Sequence, residues 1–341
     1  MIGVAVVGAG HWGPHLIRNF HDRSTSEVRV VVDLSEHRRG EVSARYPEII
    51  TTDDLASALD LPGVDAVVVA TPTSTHHRVA RAALQRGKHV FVEKPLATSV
   101  SDAEQLCELA AQAGVTLMVG HVFVYNSAVR KAKEFISSSD FGGVYYIAMT
   151  RTNLGPIRTD VNAAWDLAAH DISIVNWWLD AEARSAAALG SSWINPGLED
   201  AVFATLRYPS DVLVNLHASW LNPRKERSIT VVGERKMLVV DDMNLSEPLR
   251  VYDKGVTDDR VVPGYEETFV SFRASIREGD ISIPRVALAE PLKAECEHFV
   301  DCIREGKQPL TGGRDGLAVI RALEAIDRSV KNGGAEEPIL R

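Results

Sequence analysis

The sequence predicts an α/β protein in two parts: a doubly wound parallel sheet over residues 1–121, and an α+β part with a large, mostly antiparallel open sheet over residues 122–341. Three observations predict it. Short valine-rich runs alternate with helical segments in the first part, as is typical of strands covered on both faces. The first run leads into a glycine-rich turn. The second part has several strands with few helices between them.

The strands of the first part are short apolar runs bounded by polar residues. They are Ile2–Gly8, Val28–Asp33, Ala66–Ala70, His89–Glu93 and Thr116–Gly120. Residues that favour helix starts follow some of them, namely Ser35, Asp53 and a capping box of Ser101 and Glu104. Gly87 and Gly114 are suited to helix ends. Strict alternation of strand and helix favours a parallel sheet.

After residue 121 the pattern changes to strands separated by turns. The predicted strands are Val144–Arg151, Ala201–Tyr208, Val212–Trp220, Ser228–Gly233, Met237–Asp242 and Leu249–Asp253. The predicted helices are Ser127–Ser137, Ala163–Leu179, Glu290–Glu305 and Asp315–Lys331. We expect the last two helices to pack back on the first part.

Length and composition limit the class of protein. A length of 341 residues suits about two domains. With 37 basic and 46 acidic residues the net charge is −9, which disfavours nucleic acid or an anionic membrane as the main partner. Three scattered cysteines do not form a disulfide framework. Since no basic leader precedes the first strand and no apolar run is long enough to span a bilayer, we expect a cytoplasmic protein.

The first strand runs into a G-x-G-x-x-G turn formed by Gly8, Gly10 and Gly13, with His11 and Trp12 between the last two glycines. Gly8 permits a tight turn, Gly10 lets the backbone approach a pyrophosphate, and Gly13 lets helix and strand pack closely. Backbone amides of the turn and the helix dipole then meet the diphosphate. The pattern alone is weak, because an ordinary glycine loop also matches it.

Asp33 ends the second predicted strand, twenty positions after Gly13. A carboxylate there can accept hydrogen bonds from both adenosine ribose hydroxyls and repels a 2′-phosphate. The sequence therefore favours NAD over NADP. Arg38 and Arg39 follow and offer positive charge to a phosphate, so Arg38 is also a cofactor-binding candidate. The alternative is an acidic residue that only ends a strand.

Asp166 and His170 form a second candidate cluster. They lie four residues apart, which places them on one face of a helix. The carboxylate can orient a substrate hydroxyl or the imidazole, and histidine titrates close to neutral pH. His170 is therefore suited to general acid–base catalysis. On the residues alone, a partly buried helix histidine without a chemical role remains the alternative.

Two further turns make the set of motifs specific. They are the T-P-x-x-x-H turn of Thr71, Pro72 and His76, and the E-K-P turn at Glu93–Pro95. Together with the glycine turn and the D-x-x-x-H helix, they resemble the motifs of the Gfo/Idh/MocA oxidoreductases, the glucose–fructose oxidoreductase and inositol dehydrogenase family. The resemblance spans nearly the whole chain. It implies an N-terminal Rossmann domain that binds NAD and a C-terminal α+β substrate domain.

The resemblance also implies roles for individual residues. Thr71, Pro72 and His76 should line the dinucleotide cleft, Glu93 should help hold the nicotinamide ribose, and Lys94 should reach the reacting carbon. The implied chemistry is hydride transfer between a secondary alcohol and nicotinamide. Either His170 or Lys94 removes the hydroxyl proton, and we favour His170 as the base with Lys94 as its electrostatic partner. The family pairs subunits through the open sheet, which implies a homodimer or a homotetramer.

The stretch from Arg151 to Asn162 resembles a subgroup that acts on nucleotide-linked hexoses, such as UDP-N-acetylglucosamine 3-dehydrogenases. For that substrate, Arg158 is the candidate for the diphosphate, and Asn126 and Asn153 are candidates for the sugar. UDP-glucose, an inositol, a free sugar and reduction of a keto sugar remain alternatives. So do a redox-assisted glycosidase and a non-catalytic NAD-binding regulator. No cysteine and histidine spacing is typical of zinc, so the sequence predicts no metal site.

Overall fold

The computed structural model describes residues 1–256 and 276–340. The chain divides into two compact units. Unit 1 comprises Met1–Tyr125 with Ala289–Glu324, and unit 2 comprises Asn126–Leu288 with Ala325–Arg341. Within the described ranges, no helix is long and apolar enough to cross a membrane.

Unit 1 is built on a six-stranded parallel sheet in the order β3-β2-β1-β4-β5-β6. Its strands are β1 (Ile2–Val7), β2 (Ser26–Val32), β3 (Ile50–Thr52), β4 (Ala66–Val69), β5 (His89–Glu93) and β6 (Leu117–Gly120). Their valines are almost completely buried, as helices on both faces require. The strand order reverses between β1 and β4, so the carboxyl ends of these strands form the crevice where such sheets bind ligands.

The helices that follow these strands are α1 (Gly13–His21), α2 (Glu36–Arg45), α3 (Leu55–Leu59), α4 (His76–Leu84) and α5 (Val100–Ala113). Ser35 caps α2 as predicted, by accepting a hydrogen bond from the Arg38 amide at 3.4 Å. Two predicted caps are wrong by one or two positions. Asp54, and not Asp53, accepts from an amide of α3, and Ser99, and not Ser101, accepts from an amide of α5. Gly114 ends α5 in the left-handed conformation, as predicted.

Unit 2 contains a nine-stranded sheet in the order β16-β13-β12-β11-β7-β10-β9-β8-β17. The strands are β7 (Val144–Leu154), β8 (Ser185–Ser191), β9 (Ala201–Arg207), β10 (Leu213–Ser219), β11 (Leu221–Gly233), β12 (Met237–Asp241), β13 (Leu249–Tyr252), β16 (Ile281–Ser282) and β17 (Glu337–Pro338). Only the β7–β10 pairing among these is parallel. A separate ribbon pairs β14 (Gly255–Val256) with β15 (Ile276–Arg277). The predicted fold class is therefore confirmed.

Two helices of unit 2 precede and follow β7. α6 (Ser127–Ile136) matches its prediction, whereas the predicted helix Ala163–Leu179 has two conformations. Its first turn, Ala164–Ala168, is π-helical, and α7 (Ala169–Leu179) continues it. A π-helical turn inside a helix is rare and is frequent at functional sites. Periodicity does not distinguish it from an ordinary α-helical turn.

The late chain completes unit 1. Phe299 of α8 (Pro291–Glu305) packs edge to face against Phe91 and Phe20, at ring-centroid distances of 5.7 and 6.2 Å. The Val119 amide donates to Thr311 O at 2.7 Å, and Thr311 Oγ1 donates to Val119 O at 2.8 Å. These bonds close the outer edge of β6. α9 (Gly313–Lys331) follows, and its residues from Ala325 onward belong to unit 2.

Candidate cofactor and catalytic sites

The glycine turn lies where β1 ends beside β4. Gly8 has a φ of +99°, and a Cβ there would lie 2.6 Å from Ala70 O. A Cβ on Gly13 would lie 2.2 Å from Gly8 O, so α1 can start this close to the turn only with glycine at that position. A Cβ on Gly10 would meet only the Arg38 guanidinium, at 3.3 Å. The turn therefore offers unobstructed backbone at Gly10 and a helix N-terminus, as a diphosphate requires.

Asp33 lies next to this turn, at the end of β2. Its Oδ2 accepts from the Ala9 amide at 2.7 Å, and its Oδ1 accepts from the Ser35 amide at 2.8 Å. These bonds fix the carboxylate and leave lone pairs for ribose hydroxyls. Arg38 Nη1 lies 3.8 Å from Asp33 Oδ2 on a half-exposed side chain. The glycine turn and this held carboxylate fit NAD.

The neighbouring side chains of the turn are exposed aromatics. Trp12 is 42% exposed, and its ring lies edge to face with His11 and His15 at centroid distances of 6.1 and 5.8 Å. His11 is also exposed. Both predicted cofactor-binding side chains are therefore accessible at the turn.

The T-P-x-x-x-H turn is held together by its own side chains. Thr75 Oγ1 donates to Pro72 O and is hydrogen-bonded to Thr71 Oγ1, both at 2.8 Å. His76 is 1% exposed, with Nε2 at 2.9 Å from Thr71 O and Nδ1 at 2.8 Å from Pro95 O. The buried His76 side chain thus connects this turn to the E-K-P turn. Thr71 and Pro72 lie at the surface of the T-P-x-x-x-H turn.

The E-K-P turn begins at the last residue of β5, and three groups in this part of unit 1 have strongly shifted pKa values. Burial raises the pKa of Glu93 to about 7, against the opposing effect of the Lys94 ammonium. Burial and the Lys94 charge lower the pKa of His121, just after β6, to about 3. Burial and the Glu93 charge raise the pKa of Glu295, on α8, well above its usual range. Such clustering of shifted groups is typical of functional sites.

In unit 2, polar contacts fix the π-helical turn. Asn162 Oδ1 accepts from the Trp165 amide at 3.1 Å, and Asn162 Nδ2 donates to Asp327 Oδ1 at 3.0 Å. Trp165 Nε1 donates to Asp327 Oδ2 at 2.7 Å. Below the helix, Arg151 Nη2 pairs with Asp171 Oδ1 at 2.6 Å, and both side chains are buried. Contacts at the π-helical turn and at Asp171 of α7 therefore fix the segment that carries Asp166 and His170.

Asp166 is bound through both of its oxygens. Oδ1 accepts from Arg158 Nη1 at 3.3 Å, and Oδ2 accepts from Trp220 Nε1 at 3.1 Å. Arg158 also pairs with Asp160, through Nε–Oδ1 and Nη2–Oδ2 distances of 2.8 and 2.6 Å. The Arg158 guanidinium therefore pairs with two carboxylates, those of Asp160 and Asp166. His170 lies one turn after Asp166, in the first turn of α7.

The two asparagines proposed for sugar binding have different surroundings. Asn126 Oδ1 caps α6 by accepting from the Ala128 and Val129 amides at 2.9 and 3.3 Å, and its Nδ2 donates to Asp242 Oδ1 at 2.9 Å. Little of its hydrogen-bonding capacity remains for a ligand. Asn153 is half-buried on β7.

Sequence reasoning missed four polar residues of these sites, which are His121, Glu295, Asp160 and Asp327. His121 carried a usable signal, because it follows the carboxyl end of a parallel strand, where ligands bind. The carboxylates of Glu295, Asp160 and Asp327 carried no such signal in the sequence, since their partners lie far away along the chain or on an irregular loop. Among the described residues, no group of three His, Cys, Asp or Glu side chains could hold a metal ion.

Two family models match the chain. The NAD-binding Rossmann fold of the GFO/IDH/MocA oxidoreductase family matches residues 2–121, and the GFO/IDH/MocA C-terminal domain matches residues 129–239. Both units thus contain matched sequence.

Several curated relatives match over nearly full length, among them the following two. A scyllo-inositol 2-dehydrogenase (NAD⁺) from Bacillus subtilis is 26% identical, over 96% of this chain and 94% of the relative. A UDP-N-acetylglucosamine 3-dehydrogenase from Acidithiobacillus ferrooxidans is 27% identical, over 93% of each. The structure of GenD2 from gentamicin A biosynthesis, in complex with NAD, matches with a TM-score of 0.82 at 25% identity, over 100% of this chain and 97% of that one.

Proposed function

Because this chain belongs to the Gfo/Idh/MocA family of NAD-binding oxidoreductases, we propose that it oxidises a secondary hydroxyl, at C3, of a nucleotide-linked hexose such as UDP-N-acetylglucosamine or UDP-glucose. The observation that carries this proposal is the Asp166 carboxylate, held by Arg158 and Trp220 one turn before His170. A fixed carboxylate and an imidazole suit the binding of a hydroxyl and the removal of its proton. The relative that is 27% identical supports the nucleotide-sugar substrate.

Unit 1 supplies the cofactor side of this proposal. The amides of the glycine turn bind the diphosphate, and Asp33 accepts from the adenosine ribose hydroxyls and disfavours NADP. Thr71, Pro72 and Glu93 contact the nicotinamide half. When bound, NAD supplies the hydride acceptor at nicotinamide C4.

Proton transfer falls to His170, Asp166 and Lys94. His170 accepts the hydroxyl proton as the hydride leaves the same carbon, so the alcohol loses two electrons and two hydrogens in total. Asp166 orients that hydroxyl, because its own position is fixed by two donors. Lys94, as a cation, stabilises the developing alkoxide.

Substrate recognition is proposed for Arg158, Asn153 and Asn126. Arg158 binds the diphosphate, which has to displace the Asp160 carboxylate from its guanidinium. Asn153 binds the sugar amide or a hydroxyl, and Asn126 contributes its remaining amide hydrogen. A change in the substrate KM when Asp160 is substituted would test this exchange directly.

An inositol is the second candidate substrate, favoured by the relative from Bacillus subtilis. The same residues also serve reduction of a keto sugar, since the donors and acceptors work in either direction.

The three cysteines are free, in keeping with a reducing cytoplasm.

We also propose a homodimer or a dimer-built tetramer formed through the nine-stranded sheet. One face of this sheet presents four exposed apolar side chains, Tyr146, Leu189, Phe203 and Leu213. Exposed apolar patches of this kind mark association surfaces. Substitution of Phe203 by a charged residue should weaken this association and therefore reduce the molecular mass measured by light scattering.

The test is NADH absorbance at 340 nm with purified protein, NAD and a panel of UDP- and TDP-hexoses, free sugars and inositols. A carbonyl trap or a coupled aminotransferase removes the keto product, which accumulates poorly on its own. NADH formation with one nucleotide sugar, abolished in H170N and retained in the exposed-histidine control H37N, supports the proposal. Turnover of an inositol alone would instead select the second candidate, and normal turnover by H170N would remove His170 from the mechanism.

A further inference from the structure

His121 lies beside Lys94 at the carboxyl edge of the parallel sheet. Glu93 of β5 pairs in register with Gly120 of β6, so Lys94 and His121 are the next positions on two neighbouring strands. This is the edge at which parallel sheets bind ligands. Its position thus places His121 with the cofactor-binding turns of unit 1.

The His121 side chain is buried without hydrogen bonds. It is 1% exposed, and neither Nδ1 nor Nε2 has a hydrogen-bond partner among the residues that the structure describes. A buried imidazole with two unmet nitrogens is costly, and such groups in native proteins need an explanation. An aliphatic side chain of similar size would avoid the cost.

The charge state of His121 follows from its surroundings. Lys94 is the charged group that acts on His121 directly, and the carboxyl groups of Glu93 and Glu295 are buried in the same part of unit 1. Burial and the positive charge of Lys94 lower the pKa of His121 to about 3, so its ring is neutral at working pH. A neutral imidazole has one lone pair, and the Lys94 ammonium is a donor without any acceptor capacity.

We propose that His121 is a positioning residue for Lys94, accepting a hydrogen bond from its ammonium when the cofactor is bound. This rests on the proposed function of Lys94 as the cation that stabilises the alkoxide. Hydrogen bonds of catalytic groups are often long in unliganded enzymes and shorten in the complex. The bond keeps the Lys94 amine protonated and orients it. In the unliganded protein the two His121 nitrogens lack a hydrogen-bond partner, which lowers the stability of that state.

The inference is tested with H121L, H121N and a matched control, H89L. His89 lies at the other end of β5, where its Nδ1 accepts from the Thr116 amide at 3.0 Å. Three properties are compared in the full-length protein: the Tm without ligand, the pH profile of kcat, and the rate at which an amine reagent modifies Lys94, followed by mass spectrometry. The modification rate is measured with NAD bound and without substrate.

We expect H121L to raise the Tm by about 2–4 °C, because an unmet polar group is removed. The same variant should lower kcat by about tenfold, as expected for one lost charge-assisted bond. The alkaline limb of the pH profile of kcat should move to lower pH. Modification of Lys94 by the amine reagent should become about tenfold faster. H121N, whose amide oxygen can accept, should restore part of the kcat. H89L should lower the Tm and leave the other two properties unchanged.

Two results would overturn the inference. A lower Tm in H121L with unchanged kcat would show a packing residue, and an unchanged rate of Lys94 modification would show that His121 does not act through Lys94. If no substrate turns over but Lys94 modification accelerates in H121L, the proposed reaction fails while the His121–Lys94 relationship stands.

Discussion

Trp165 Nε1 donates a hydrogen bond of 2.7 Å to Asp327 Oδ2, which ties the residue before Asp166 to the last turns of α9. Asn162 Nδ2 donates to the other carboxylate oxygen at 3.0 Å. The π-helical turn is therefore anchored by a residue about 160 positions away. Because catalysis requires groups placed within fractions of an ångström, this anchor should affect activity as well as stability.

We expect D327N to lower kcat about tenfold and the free energy of unfolding by about 1–3 kcal/mol, since an amide cannot accept from both donors equally well. Urea denaturation and steady-state kinetics measure the two effects. D211N, a change at an exposed turn of unit 2, is the control and should alter neither. A stability loss without any loss of kcat would limit Asp327 to a structural role.

Cofactor selectivity should depend on Asp33. D33A removes the ribose acceptor and the negative charge, so KM for NAD should rise about tenfold or more, for about 1–3 kcal/mol of lost binding. The preference for NAD over NADP should shrink in parallel. The measurement is kcat/KM with each cofactor, with D53A as the exposed control nearby. An unchanged ratio in D33A would exclude Asp33 as the selective residue.

The glycines of the turn should differ in their tolerance of alanine. G13A places a Cβ 2.2 Å from Gly8 O, which neither backbone segment can avoid, so we expect lost NAD binding and a lower Tm. G10A meets only the flexible Arg38 side chain at 3.3 Å, so its Tm should be nearly normal. Its affinity for NAD should still fall, because the diphosphate approaches this position. Calorimetric titration and thermal unfolding separate the two outcomes.

The raised pKa of Glu93 should make stability depend on pH. The folded protein holds the Glu93 proton up to a pKa of about 7, whereas the unfolded chain loses it near the ordinary value of 4.5. Stabilisation from the neutral carboxyl is therefore complete below pH 4.5 and is lost as pH rises toward 7. His121 acts in the opposite direction, because its lowered pKa costs stability as pH falls below 6.5.

The difference between wild type and E93Q isolates the Glu93 effect. Between pH 5 and pH 7.5, the free energy of unfolding of wild type should fall relative to that of E93Q by about 1–3 kcal/mol. Urea denaturation at each pH provides the values. A flat difference across this range would show that Glu93 titrates at its ordinary pKa in the folded protein.

Local patterns predicted the elements that local physics determines. The valine runs of β1, β4 and β5 and the capping serine at position 35 are examples, because burial on two faces and a single side-chain bond leave direct traces in the sequence. β8 was missed because its run of alanines lacks the branched residues typical of strands. The π-helical turn was missed because its residues fit an α-helical period equally well.

The candidate sites divide in the same way. Asp33 was found because the strand and the glycine turn determine its position within a few residues. Glu295 and Asp327 reach their places only through packing of helices from the end of the chain, which no local window contains. Asn126 has the residue type of a sugar ligand and also that of a helix cap, and only its contacts with the α6 amides distinguish the two.

Closure of β6 by Thr311 has a consequence for the order in which the protein is made. Unit 1 is synthesised first, yet its sheet edge and its Phe20–Phe91–Phe299 cluster wait for residues 289–324. At about 5–20 residues per second, the ribosome delivers the missing segment roughly 10–40 s later. During that interval the nascent sheet has an open edge and an exposed aromatic surface, so chaperone binding should concentrate on the first 125 residues and end when α8 emerges.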